Sequence, residues 1–218
     1  MAEPSIEFAN RSAAEFLDDI ASQNPTPGGG TAAAMAAAMG YALLEMACAV
    51  AGKKAAGTDA ARLTRLSALA KAGRAEMLAA MTEDSAAFEG IRAARKRVKD
   101  EGLIGDKAAE VRATATRMAS GVPLRVARRC AEGLALGRTV LKSTRPATRS
   151  DVGVALELFR AATVGAAYNV LVNLDETLPA SERGSLSAGA HGALAAAKHD
   201  HRSLSRRVAR SLGIRRGR

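Results

Sequence analysis

Large side chains are scarce in this sequence. It has no tryptophan, four phenylalanines and two tyrosines in 218 residues, and alanine supplies most of its apolar content. The chain is nevertheless long enough to bury a core without help from a metal or a disulfide. Small side chains let helices approach closely but bury little apolar area per residue. We therefore expect a protein that works as a homodimer or a larger homo-oligomer.

Cysteine is also rare, and the two present, Cys48 and Cys130, lie far apart among apolar neighbours. This pattern predicts buried free thiols, which suit a reducing cytoplasm. The N-terminus lacks the basic and then apolar pattern of a secretory signal. The most apolar stretch, residues 31–51, contains Glu45, and an ionisable residue is costly in lipid. We predict a cytoplasmic protein with no membrane partner and with this stretch as a buried core helix.

Acidic residues are missing from the end of the chain. The formal net charge is +10, and residues 201–218 carry seven arginines and no acid. We expect a single domain over residues 1–200, followed by a solvated basic tail over residues 201–218. Nucleic acid is the alternative partner for the tail, but no aromatic residue among the arginines offers bases a stacking surface.

Apolar residues recur every three or four positions, and no segment has convincing strand alternation. The pattern predicts an all-α protein of five to six helices. A capping box at Ser12 starts the first helix, and Ser150 is expected to cap the fifth. We expect a loop at residues 96–106 and a break or kink at Pro123. The predicted helices cover residues 12–21, 31–51, 58 to beyond 88, 107–142, 150–173, and 178 onward.

Proline and glycine concentrate in one segment, Pro25-Thr26-Pro27-Gly28-Gly29-Gly30, just before the second helix. Such a loop presents backbone N–H groups at the positive end of the helix dipole, where a carboxylate, phosphate or carbonyl oxygen binds well. A tight entry turn that lets backbones pack is the alternative. The lysine and hydroxyl residue of a nucleotide-hydrolase phosphate loop are absent.

Polar residues interrupt two apolar helix faces. Asp84 lies on the inward stripe of the third helix, where lost hydration raises a carboxyl pKa unless a cation pairs with it. Asn169 and Asn173 lie one turn apart on the fifth helix, and they suggest either a ligand or helix-to-helix hydrogen bonds. Glu45 is expected to be a packing or salt-bridge acid. The three histidines are too local for a metal site, and we expect none. The stripe of the third helix consists of Leu63, Leu66, Ala70, Gly73, Met77, Ala80, Asp84, Ala87 and Ile91.

The glycine loop runs through Thr31 into a small-residue helix that ends at Gly52-Lys53-Lys54. Further segments, in chain order, are Asp84-Ser-Ala-Ala-Phe88, Val122-Pro123-Leu124, Ser150-Asp151-Val-Gly-Val-Ala155 and Ala167-Tyr-Asn169-Val, followed by Asn173. With these motifs in this order, the chain resembles the cyclodeaminase/cyclohydrolase family of folate enzymes over residues 12–174.

The resemblance implies an all-α, up-and-down helical bundle that dimerises, with a folate site near the subunit interface. It implies that Asp84 is the catalytic residue and that no cofactor is needed beyond the tetrahydrofolate substrate. The residues expected to bind the substrate are Pro27, Gly28, Gly29, Gly30, Lys53, Lys54, Asn169 and Asn173. The two lysines are expected to meet the glutamate tail of the folate.

The activity implied is hydrolysis of 5,10-methenyltetrahydrofolate to 10-formyltetrahydrofolate. The absence of a formiminotransferase half in this chain favours it over the alternative, cyclodeamination of 5-formiminotetrahydrofolate with release of ammonia. A repurposed, non-folate member of the fold is a further alternative, because Ala49-Val50-Ala51 is apolar where the family usually carries a polar residue.

Overall fold

The structure, a computed structural model, describes residues 8–214 of the chain. Within that range it contains α-helices and two short 3-10 turns but no strand, which confirms the predicted all-α bundle. Short connections make consecutive long helices antiparallel neighbours, as in an up-and-down bundle. The helices are α1 (Ala13–Ala21), α2 (Gly29–Gly52), α3 (Gly57–Asp100), α4 (Gly105–Ser143), α5 (Arg149–Val172) and α6 (Ala180–Ser211).

Helix α2 lies at the centre and packs against α3, α4 and α5. Glycines make room there for one of the few large rings. A Cβ at Gly40 would lie 2.9 Å from Phe159 Cε1, and a Cβ at Gly133 would lie 2.6 Å from the same atom. The Phe159 side chain is fully buried as a result. Because Gly40 on α2 and Gly133 on α4 have no side chain, the large ring of Phe159 on α5 fits between these helices.

The prediction of a loop at residues 96–106 is wrong for most of that range, because α3 extends to Asp100 and α4 begins at Gly105. Ion pairs one turn apart support the charged end of α3: Lys96 with Asp100 and Arg97 with Glu101. The turn itself takes only residues 101–104.

The break expected at Pro123 is also wrong, since α4 is one helix from Gly105 to Ser143. Proline has no N–H to donate to the carbonyl four residues earlier, which here is that of Ala119. The side chain of Asn173 replaces the missing donor, with Nδ2 2.9 Å from the Ala119 oxygen. Because that carbonyl is satisfied from α5, the helix tolerates the proline.

The predicted start of the fifth helix is displaced by two residues. A 3-10 turn over Pro146–Thr148 leads directly into α5, with Thr148 at the N-cap position. Ser150 therefore lies in the first turn of the helix and is not its cap. The capping box at Ser12, by contrast, forms as predicted.

The basic segment from residue 201 is continuous with α6 as far as Ser211. Leu204 and Val208 are buried in the core of the bundle. The prediction of a solvated tail is therefore wrong for the face of α6 that carries Leu204 and Val208, because this face is apolar and buried. The arginine side chains of the segment, at 202, 206, 207 and 210, are exposed as expected.

Two segments, Gly29–Gly52 and Pro146–Val172, have the length and hydropathy of membrane spans. The bundle buries 50% and 44% of their most apolar windows, respectively, as in core helices. Cys48 and Cys130 are buried free thiols, as predicted. Glu45 accepts a hydrogen bond from Arg74 Nε at 2.9 Å, which confirms its predicted role as a salt-bridge acid.

Candidate functional site

A cavity of about 210 Å³ lies where the start of α2 meets the middle of α3 and the end of α5. It brings together residues that the sequence singled out on three separate segments: Asp84, the three glycines and the asparagine pair. The complete lining is Pro25, Thr26, Gly28, Gly29, Gly30, Asp84, Phe88, Ile91, Ala119, Asn169, Val172 and Asn173.

Asp84 lies at the wall of this cavity, on the predicted stripe of α3. Every other member of that stripe is buried except Ile91, which also lines the cavity. The stripe therefore opens to solvent only where the cavity lies. This location explains why a carboxylate interrupts an otherwise apolar face.

The surroundings of Asp84 favour its neutral form. Burial raises the pKa of the carboxyl group above its usual value, while hydrogen bonds from the Thr31 hydroxyl and backbone N–H oppose that shift. Thr31 Oγ1 donates to Asp84 Oδ2 at 2.9 Å and is itself fully buried. Among residues 8–214 no cation forms an ion pair with Asp84, so the structural ion pair considered from the sequence does not form there. An acid held in this way is suited to accept and return a proton.

The glycine loop permits the close approach of Asp84 to the start of α2. A Cβ on Gly30 would lie 2.2 Å from Asp84 Oδ1, and a Cβ on Gly29 would lie 3.3 Å from Asn169 Nδ2. The positive end of the α2 dipole, predicted to hold an anion or carbonyl oxygen, therefore faces the carboxylate of the chain itself. Close packing of functional side chains is the physical reason for at least two of the three glycines.

Each asparagine uses its amide N–H₂ group to hold its own position. Asn169 Nδ2 donates to the Gly165 carbonyl at 2.8 Å, and Asn173 Nδ2 donates to Ala119 at 2.9 Å. The second bond joins two helices, as the structural interpretation of the pair expected. Neither Oδ1 atom has a hydrogen-bond partner among residues 8–214, so both acceptors are available to a ligand in the cavity.

The remaining predicted site residues lie elsewhere. Lys53 and Lys54 are exposed just beyond the C-terminal end of α2, while the cavity lies at its start. A helix of this length separates the two places by about 36 Å, so a single chain does not bring these lysines to the cavity. Pro27 is buried beside the glycine loop but does not line the cavity.

Thr31 and Phe88 are site residues that the sequence reasoning missed as individual side chains. Thr31 was assigned only to opening α2, yet it is the residue that holds Asp84. Its place just after the last glycine was the available signal. Phe88 is 39% exposed at the cavity, and its place one turn after Asp84 on α3 pointed to the same wall.

The cavity is lined by few polar side chains, and their chemistry limits what the site can do. Within residues 8–214 no group of three or more histidine, cysteine, aspartate or glutamate side chains could hold a metal ion. The groups available are one carboxyl with a raised pKa, two amide oxygens and an aromatic ring. Such a set can activate water next to a flat, positively charged substrate.

Comparisons with known proteins agree with this picture. The sequence profile described as Formiminotransferase-cyclodeaminase matches residues 12–197. A methenyltetrahydrofolate cyclohydrolase from Methylorubrum extorquens is 36% identical over 180 residues, covering 80% of this chain and 86% of that protein. A formimidoyltransferase-cyclodeaminase from Sus scrofa is 29% identical over 190 residues, covering 85% of this chain and 35% of that protein.

The fold has a close counterpart among solved structures. The crystal structure of formiminotetrahydrofolate cyclodeaminase from Thermotoga maritima matches with a TM-score of 0.78 at 24% identity, covering 95% of this chain and 98% of that one. The profile match includes every residue that lines the cavity, and the bacterial relative matches 80% of this chain. The chain therefore belongs to the formiminotransferase-cyclodeaminase family.

Proposed function

We propose that this chain hydrolyses 5,10-methenyltetrahydrofolate to 10-formyltetrahydrofolate. The observation that carries the proposal is Asp84, a carboxyl group with a raised pKa, no ion-pair partner among residues 8–214 and a place on the cavity wall. The relative from Methylorubrum extorquens, whose name states this activity, supports it because the match covers 86% of that protein.

The proposed chemistry needs one base. The substrate carries a positive charge over its N5–C–N10 amidinium, so the carbon is already electrophilic and no cofactor is required. Asp84 accepts a proton from water as the oxygen bonds to that carbon. The C–N5 bond then breaks, the hydroxyl proton is passed to N5, and the formyl group remains on N10. One proton is released overall.

The other cavity residues have supporting roles in the proposal. The negative charge of Asp84 stabilises the cation before reaction. The free Oδ1 atoms of Asn169 and Asn173 accept hydrogen bonds from the N–H groups of the pterin, and Phe88 packs against a flat ring. Thr31 acts through Asp84 and is a positioning residue.

Cyclodeamination of 5-formiminotetrahydrofolate is the second candidate. The family profile and the relative from Sus scrofa favour it by name, but the match covers only 35% of that protein. This reaction joins N10 to the formimino carbon and releases ammonia, and the same carboxyl group would transfer the protons. Ammonia release from the formimino substrate separates the two candidates.

The decisive experiment follows the absorbance of methenyltetrahydrofolate with purified protein against the buffer rate. We expect faster decay with the wild-type chain and a rate near that of buffer with Asp84→Asn. A wild-type rate equal to buffer would overturn the proposed activity. Ammonia release from 5-formiminotetrahydrofolate, assayed separately with the same protein, would then assign the second candidate, and the absence of both reactions would favour a repurposed member of the fold.

We also propose that the protein is cytoplasmic and self-associates. On α5, Val172, which lines the cavity, is 78% exposed, and Tyr168, next to the cavity residue Asn169, is 65% exposed. Large apolar side chains this exposed next to a site are typical of a contact surface. Light scattering at micromolar concentration is expected to give at least twice the mass of one chain, and a stable monomer would contradict this expectation.

A further inference from the structure

A second cavity, of about 150 Å³, adjoins the candidate site and shares Ile91, Val172 and Asn173 with it. Each cavity alone is smaller than the roughly 300 Å³ at the lower end of ligand pockets. Because the two share three lining residues, they form one continuous cleft. The second cavity adds two arginines to that cleft, Arg95 on α3 and Arg112 on α4.

Helix geometry places both arginines on the same side of Asp84. Arg95 follows Asp84 by eleven residues on α3, which corresponds to about 16 Å along the axis. Arg112 precedes the cavity residue Ala119 by seven residues on α4, or about 10 Å. Because α3 and α4 run antiparallel, these displacements point in the same direction, and the cleft is basic only at the end away from Asp84.

The two arginines have no anionic partner of their own. Neither makes an ion pair or a side-chain hydrogen bond with any residue from 8 to 214. Their neighbours on the same helices do: Arg92 with Glu89, Arg97 with Glu101 and Arg117 with Glu182. Two unpaired guanidinium groups lining one cavity make it suited to a ligand with two anionic groups, and the guanidinium fork matches a carboxylate.

One acid, Asp175, also lines the second cavity. It forms no ion pair with either arginine among the described residues. Its Oδ1 accepts a hydrogen bond from the Thr177 backbone N–H at 3.0 Å and another from the Thr177 hydroxyl. One oxygen of that carboxylate is therefore engaged in the turn after α5. The arginines, which form no ion pair with it, remain available.

We infer that Arg95 and Arg112 bind the carboxylates of the glutamate arm of a folate whose reacting ring lies at Asp84. This inference rests on the proposed function, since it takes the ring end of the cleft as the reaction site. The arm is an aromatic spacer that ends in two carboxylates, so it presents its charges at a distance from the ring. Within one chain, Arg95 and Arg112 therefore replace Lys53 and Lys54 as the residues expected to contact the glutamate tail.

The test removes the charges from the protein and the arm from the substrate in turn. The substrates are 5,10-methenyltetrahydrofolate and 5,10-methenyltetrahydropteroate, which lacks the glutamate. The variant is Arg95→Gln with Arg112→Gln, and the matched control is Arg97→Gln, an exposed and paired arginine on the same helix that lines neither cavity.

The wild-type protein is expected to favour the substrate that carries glutamate. In the double variant this preference, measured as the ratio of the two kcat/KM values, falls by about tenfold or more through KM. Turnover of the pteroate substrate stays unchanged, and Arg97→Gln changes neither substrate. Equal losses on both substrates would indicate a structural role and overturn the inference, as would a wild-type protein with no preference.

A binding measurement keeps this inference separable from the proposed activity. Calorimetric binding of 5-formyltetrahydrofolate and 5-formyltetrahydropteroate needs no turnover. If neither substrate reacts but binding of the glutamate form still depends on both arginines, the proposed activity fails and the arm site stands. If Lys53→Gln and Lys54→Gln abolish the preference while the arginine variant does not, the arm lies elsewhere and the inference is wrong.

Discussion

At the scale of single residues, the site depends on how closely one carboxyl group approaches the start of a helix. Gly30 leaves the space, Thr31 supplies the donors, and burial against α2 removes water from Asp84. Burial and hydrogen bonding act on the pKa in opposite directions, and burial prevails. A carboxyl group placed in this way is a stronger base than an exposed one and is still held in a fixed position.

Asp84→Asn is expected to lower turnover by roughly 100-fold or more, the usual scale for the loss of acid–base assistance. Because the folded-state pKa of Asp84 is raised, its ionised form is the less stable one in the folded protein. The stability that the protonated group provides is present below the unfolded pKa and is lost as pH rises through the folded pKa. The variant should therefore melt at or above the wild-type temperature at pH 7.

The stability difference between Asp84→Asn and wild type should vanish as pH falls below about 3.9, the ordinary aspartate value. Melting curves from about pH 3 to pH 8, which extend below the ordinary aspartate value, together with turnover per molecule, measure both effects. A sharp drop in melting temperature with activity retained would remove the catalytic assignment and leave a structural acid. For the wild type, turnover should decline on the acid side at a pH above the ordinary aspartate value, since the working base must be ionised.

Gly30→Ala tests the close approach itself. The new Cβ would overlap three Asp84 atoms, the nearest at 2.2 Å, so the carboxyl group must shift from its present position. We expect turnover to fall nearly as far as in Asp84→Asn, because a displaced carboxylate is no longer positioned to accept the proton from water. Gly90→Ala is the matched control: it lies on α3 with no atom within 4 Å of the added Cβ, and replacing a helical glycine there should stabilise slightly. Equal activity in the two variants would contradict this account.

At the scale of the helices, periodicity in the sequence predicted which residues would share a face. Asp84, Asn169 and Asn173 were selected because they interrupt stripes of small apolar residues, and the fold brings them to one cavity. Periodicity indicates which face of a helix a residue lies on, but not which residues of other helices lie near it in the fold. Lys53 and Lys54 were grouped with the site through the family resemblance and not through periodicity, and the length of α2 separates them from the cavity within one chain.

Local rules failed at two places where side-chain contacts compensate. Pro123 predicts a break because it removes one backbone donor, but the Asn173 side chain from α5 supplies another. Residues 96–100 look like a charged loop, but ion pairs one turn apart stabilise them as helix. Ala119 and Asn173, which form this hydrogen bond, are too far apart in the sequence to share a local window. The unbroken helix at Pro123 could therefore not be deduced from local signals.

Pro123→Ala is expected to loosen Asn173 while α4 stays helical. An alanine restores the N–H that bonds the Ala119 carbonyl, and it competes there with Asn173 Nδ2 at 2.9 Å. We expect KM for the folate substrate to rise severalfold with little change in kcat, because only binding by the amide is disturbed. The check is steady-state kinetics of Pro123→Ala, Asn173→Ala and the double variant. If proline acts through Asn173, the two effects do not add; additive effects would assign Pro123 a separate role.

At the scale of the whole molecule, the bundle compensates for small side chains by making every helix contribute to one core. The core cluster extends from Phe16 on α1 to Val208 on α6. The basic segment thus belongs to the bundle through its apolar face, even though its arginines are exposed. Composition alone identified the charges and missed the buried stripe, because Leu204 and Val208 are isolated apolar residues among many arginines.

Truncation after Leu204 is the last prediction, and it separates the packing of this segment from its charge. Removal of Val208 uncovers Gly153, where an added Cβ would lie 2.8 Å from Val208 Cγ1, and one buried valine contributes about 1.5–3 kcal/mol. We expect the truncated chain to melt several degrees lower than the full chain. Arg206→Gln with Arg207→Gln in the full chain removes exposed charge without touching the core and should leave the melting temperature unchanged. If the charge variant is destabilised and the truncation is not, the arginines stabilise the bundle by a route other than the buried face of α6.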